Sequence, residues 1–239
     1  MNLRRMWRKI SQHELRDPLL ALAGASALAT LLLATRAILT WRGQHLFLVW
    51  NLFLAWVPLL FALRLESMHE RAARGWRFWT LAAAWLLFFP NAPYIFTDLI
   101  HLKLIAKPRW WTDMILILLF AITGLVLAFL ALHRMHRVVA ARRGWVVGWL
   151  FVTAVAFLSG FGVYLGRFER WNSWDVLTNP LNLMADSFGA LHLRSAKFTI
   201  LFGLFLATAY ALLYSLTLLR PGPRVPALVR RERSAILKT

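Results

Sequence analysis

The run MILILLFAITGLVLAFLALH, from Met114 to His133, contains no Asp, Glu, Lys or Arg. Wound as an α-helix at ~1.5 Å per residue, it is about as long as the hydrocarbon core of a bilayer is thick. Five further stretches are equally free of those four residues: 18–35, 43–63, 78–97, 144–166 and 198–219. The chain has 239 residues, 60% of them hydrophobic and 16% charged, against an apolar share of roughly 45–50% in soluble proteins. A soluble globular domain, a disordered chain and a nucleic-acid-binding module are excluded. The reading is an all-α polytopic membrane protein with six transmembrane helices. A basic segment 1–17 precedes the membrane domain 18–219, and a basic tail 220–239 follows it.

The net charge of +18 reports orientation in a membrane rather than affinity for DNA. Segments alternating along the chain carry 19 Lys and Arg on the face holding both termini and 9 on the other. The positive-inside rule then puts both ends in the cytoplasm. The first apolar run is longer than the roughly 7–15 residues of a signal peptide's core, which predicts an uncleaved first helix. Leu3, Met6, Trp7 and Ile10 stand at helical spacing among basic residues, a pattern suited to an anionic membrane surface. With no cysteine, disulfides, thiolate metal sites and cysteine nucleophiles drop out.

No Asp, Glu, Lys or Arg lies inside a span, which counts against ion-coupled transport. Small residues line two spans: Ala21, Ala25 and Ala29 in the first, and Gly144, Gly148, Ser159, Gly162 and Gly166 in the fifth. They let helices approach closely. Ser159-Gly160 suggests an intramembrane serine protease only superficially, because no span has a histidine at depth to act as base. The third span meets Pro90-Asn91-Ala92-Pro93, where each proline removes a backbone donor, so the helix is expected to break near Phe89. Beyond it Asn91, Tyr94, Asp98 and His101 recur at i, i+3, i+7 and i+10, a narrow polar stripe on an apolar helix. Such a stripe faces protein or a water-filled cleft, and interhelical hydrogen bonding alone would also explain it.

A second polar segment, from Gly166 to Pro180, interleaves Arg167, Arg170, Asn172 and Asp175 with Trp171 and Trp174. An interfacial tryptophan belt with snorkelling arginines accounts for part of it. Asn179 before Pro180 reads as a helix start, and Leu181, Met184, Phe188 and Leu191 then form one apolar face of a short amphipathic helix.

These segments carry a resemblance. The strings Trp50-Asn51-Leu52-Phe53-Leu54-Ala55-Trp56-Val57-Pro58, Phe89-Pro90-Asn91-Ala92-Pro93-Tyr94 with Thr97-Asp98-Leu99-Ile100-His101-Leu102, and Gly166-Arg167-Phe168 with Arg170-Trp171-Asn172-Ser173-Trp174-Asp175 resemble the bacterial integral membrane family called domain of unknown function 1361. The resemblance implies a bacterial cytoplasmic-membrane protein of about this size. It brings no activity and no catalytic residue.

Three functional classes fit the residues. The first is an outer-face site for an anionic lipid headgroup or a lipid-linked envelope substrate. There Arg167 and Arg170 act as forked donors, and Trp171 and Trp174 as stacking surfaces. Asn91, Tyr94, Asn172 and Asp175 are further contacts, and Asp98 with His101 is the acid–base pair if chemistry occurs. The second is a non-enzymatic scaffold or assembly subunit bound to a membrane protein partner, and the third a channel or facilitator gated at the broken helix. Asp98 and His101 could share an ion with Glu169, Asp175, Asp186 or His192, but only two of these have fixed spacing. No metal or cofactor is expected. The partners expected are membrane lipids and not nucleic acid.

Overall fold

The computed structural model describes residues 3–41, 43, 45–72, 75–104 and 110–218, with side chains for those between 16 and 102 and between 110 and 216. The side chains of 1–15 and the tail 220–239, on which two sequence expectations bear, lie outside the described residues. The chain is all-helical. It runs α1 (Leu3–Thr40), α2 (Phe47–Glu70), α3 (Trp76–Phe88), α4 (Asn91–Tyr94), a 3-10 helix (Ile95–Leu104), α5 (Trp110–Arg143), α6 (Trp145–Tyr164), a π turn (Leu165–Glu169), α7 (Asp175–Thr178), α8 (Pro180–Gly189) and α9 (Leu193–Leu218).

Among the described residues five helices are long and apolar enough to cross a membrane: Arg16–Thr40, Phe47–Glu70, Trp110–Arg143, Trp145–Glu169 and Leu193–Leu216. The sequence reading counted six. The difference is the stretch 78–97, whose α-helical hydrogen bonding stops at Phe88 and leaves α3 only 13 residues long. Pro90 and Pro93 lack the N–H that would carry the ladder onward. The backbone does not unwind there. Phe89 and Pro90 keep right-handed helical dihedrals, the Ala92 amide bonds the Phe89 carbonyl three residues back at 3.1 Å, and the chain tightens into the 3-10 helix. The α-helix ends at Phe88, a new one starts at Asn91, and beyond Tyr94 the helical pitch tightens.

Packing brings this segment to the centre. Ile117, Phe120 and Leu127 of α5, Leu52, Ala55 and Leu59 of α2 and Val155, Ala156 and Val163 of α6 are buried with Trp85, Phe89, Ala92 and Ile95. Two glycines make room. A Cβ on Gly124 would stand 2.9 Å from the Ala92 carbonyl oxygen, and one on Gly162 would stand 2.7 Å from Pro90 Cγ. The missing side chains thus seat the proline segment against α5 and α6.

α8 begins with Pro180 in the first turn, as its sequence suggests, but Asn179 makes no side-chain cap. Its residues Leu181, Met184 and Phe188, with the flanking Leu177 and Leu191, are all more than half exposed. Leu183 and Ser187 sit on the opposite side, turned toward the bundle.

Candidate functional site

The polar stripe of the third segment is held from both sides. Asp98 is 1% exposed. Arg167 of the π turn donates through Nη2 to Asp98 Oδ1 at 2.5 Å, and Asn51 of α2 donates through Nδ2 to Oδ2 at 2.9 Å. His101, one turn on, brings Nε2 to 3.8 Å from Oδ1. The Arg167 guanidinium also bonds Thr97 Oγ1 through Nε at 3.0 Å and Nη2 at 2.6 Å, and its Cζ lies 4.2 Å from the centre of the Tyr94 ring. A buried carboxylate needs such donors, because leaving a charge unpaired in an apolar interior costs several kcal/mol.

Asn91 is fixed in the same manner. Its Nδ2 donates to the Phe88 carbonyl at 3.0 Å and to Ser173 Oγ at 2.9 Å, while Ser173 Oγ donates to the Leu87 carbonyl at 3.1 Å. The aromatic segment is thereby tied to α3 and α4. Trp174 meets Trp50 of α2 edge-on at 6.2 Å between ring centres. Trp171 Nε1 donates to Asp186 of α8 at 3.2 Å. Asp175 accepts from the Asn172 backbone at 2.7 Å, from Asn172 Nδ2 at 3.4 Å and from Thr178 Oγ1 at 3.2 Å. It stabilises the turn into α7.

Between the two segments lies a cavity of about 200 Å³. Asn51, Asn91, Tyr94, Trp171, Asn172 and Ser173 supply most of its polar and aromatic lining, and Trp50 and α8 complete it. The structure therefore gathers Asn91, Tyr94, Trp171 and Asn172 around one space. It does not place Asp98, His101, Arg167, Arg170, Trp174 or Asp175 in that wall. Asp98 reaches the cavity only through Asn51, and Arg167 only through Tyr94. Arg170 is exposed, has a positive φ of 62°, and forms no side-chain hydrogen bond or ion pair among the described residues. Among the described residues no three metal-ligating side chains converge.

Thr97 and the pairing of Asn51 with Asp98 escaped the sequence reading, as did a second buried ion pair. Arg36 near the end of α1 grips Asp113 at the start of α5 through two bonds of 2.5 and 2.8 Å, both side chains under a tenth exposed. The signal was available: each residue closes an apolar run at what the charge pattern makes the same membrane face.

A family model described as a protein of unknown function, DUF1361, matches residues 50–209. This range holds every residue of the cavity. No curated protein matches the chain, and no solved structure does.

Proposed function

The chain belongs to the DUF1361 family, and from the geometry of its cavity we propose that it is a bacterial cytoplasmic-membrane protein with an outer-face site for a lipid headgroup or a lipid-linked envelope substrate. In this reading α3, α4 and the 3-10 helix together make a sixth crossing, so both termini lie in the cytoplasm, in accord with the basic residues. Cysteine-free sequence makes the orientation easy to test. Leu177→Cys should react with a membrane-impermeant thiol reagent in intact cells and Gly222→Cys should not, and the reverse pattern sinks the topology.

One observation carries the proposal: two segments distant in sequence, each polar and aromatic, close around a single cavity. Concave, partly apolar spaces with a few convergent polar groups are the ordinary form of a ligand site. Exposed Leu181, Met184 and Phe188 of α8, with the flanking Leu177 and Leu191, suit contact with the outer leaflet beside its mouth. A photoreactive residue in place of Trp171, irradiated in native membranes, should yield a lipid adduct seen by mass spectrometry. An adduct with protein alone would favour the scaffold reading, which draws its support from the complete internal pairing of Asp98.

A further inference from the structure

The orientation of each side-chain amide at the cavity is set by what it bonds. Asn51 Nδ2 is directed at the Asp98 carboxylate, Asn91 Nδ2 at the Phe88 carbonyl and at Ser173, and Asn172 Nδ2 at the Asp175 carboxylate. Carboxylate and carbonyl oxygens only accept, so in each case the nitrogen must point toward the protein. Several neighbouring donors are spent, whereas the Tyr94 and Ser187 hydroxyls, which also line the space, can donate or accept. Trp171 Nε1 is given to Asp186 and Ser173 Oγ to Leu87. The Arg167 guanidinium is committed to Asp98 and Thr97. The amide atoms left for an occupant are the oxygens Oδ1 of Asn51, Asn91 and Asn172, with a second N–H on each of Asn51 and Asn172. Among the described residues no charged side chain lines the cavity.

The lining is thus neutral and mixed, and an occupant must supply donors to the amide oxygens and can accept from the two hydroxyls. A phosphate or carboxylate offers acceptors and negative charge, and would meet three carbonyl dipoles by their negative ends. Hydroxyl groups answer the oxygens directly. The flat apolar faces of Trp50 and Trp171 and the Tyr94 ring suit the C–H faces of a sugar ring, leaving its hydroxyls to the amides. Size agrees, since a cavity of about 200 Å³ has room for a sugar ring. We infer that the cavity binds an uncharged, hydroxyl-rich group, a single sugar ring of a membrane-embedded glycolipid or lipid-linked saccharide. This deepens the proposed headgroup site and rests on it, and it replaces the anionic headgroup suggested by the arginines with a neutral one.

The test uses the full chain purified in a sugar-free detergent. Tryptophan fluorescence is followed on titration with an alkyl N-acetylglucosaminide, short-chain phosphatidic acid or short-chain phosphatidylethanolamine. Saturable binding of the glycoside, at least tenfold tighter than either phospholipid, is the expected result. Asn91→Leu should weaken it about fivefold, the loss of one hydrogen bond. Because that variant also gives up the bond to Ser173, Ser187→Phe serves as a second, filling the cavity from α8 without touching the amides, and it should abolish binding. Phosphatidic acid or phosphatidylethanolamine binding as tightly as the glycoside overturns the sugar assignment and leaves the headgroup site standing. Glycoside binding unchanged by Ser187→Phe overturns it too. Absence of binding by all three ligands removes the headgroup site itself.

Discussion

Two buried carboxylate–guanidinium pairs do different work in this bundle. Arg36 and Asp113 face each other in a forked, two-bond arrangement that engages both carboxylate oxygens, with His45 Nε2 4.0 Å from Oδ2. Beside them lies an apolar groove between α1 and α5 lined by Leu32, Leu39, Ile115 and Leu116. Asp98 divides its oxygens, one to Arg167 and one to Asn51. The first arrangement is a brace between two helix ends. The second passes its order on, since an amide that gives its nitrogen to Asp98 keeps its oxygen free for the cavity. The same pair of ions becomes part of a site when one carboxylate oxygen is left for a neutral neighbour.

The contrast can be broken by substitution. Asp98→Ala leaves Arg167 without its counter-charge and frees the Asn51 amide to turn. A loss of about 3–5 kcal/mol is expected on breaking such a pair, visible as a fall in thermal stability in detergent, and ligand binding should go with it. Arg36→Ala strands Asp113 and should cost about 3 kcal/mol. Yet glycoside affinity measured on the folded fraction should stay within twofold. If Arg36→Ala weakens binding as much as Asp98→Ala does, the division into brace and site is wrong. A smaller effect is expected from Gly162→Ala, whose new methyl meets Pro90 at 2.7 Å. Overpacking of this kind costs about 1–3 kcal/mol, and the displaced Pro90 and Asn91 should alter affinity before they unfold the chain. Full affinity with wild-type stability in that variant would mean that the proline segment tolerates movement and that the site does not depend on its seat.

Much of the architecture was legible beforehand because it depends on local quantities. Charge-free runs of fixed length make helices, so the all-helical class followed from counting. Periodicity placed Asn91, Tyr94, Asp98 and His101 on one face, and Pro180 opened α8 where expected. At the prolines the α-helix is interrupted after Phe88, yet the Phe89 and Pro90 dihedrals stay helical and the hydrogen bonding shortens. Proline forbids a donor but does not forbid the helical conformation.

The sequence by itself determined that this chain is a set of apolar helices with two polar, aromatic segments, and it carried the strings that mark its family. Tertiary structure alone decided the partners. Asp98 and Arg167 are 69 residues apart, and Arg36 and Asp113 are 77 apart. A helical period tells which residues share a face, but not toward which neighbour that face is turned. That azimuth is set when glycines, prolines and buried rings from several helices pack at once. Only then does each asparagine nitrogen find an acceptor and leave its oxygen in the cavity.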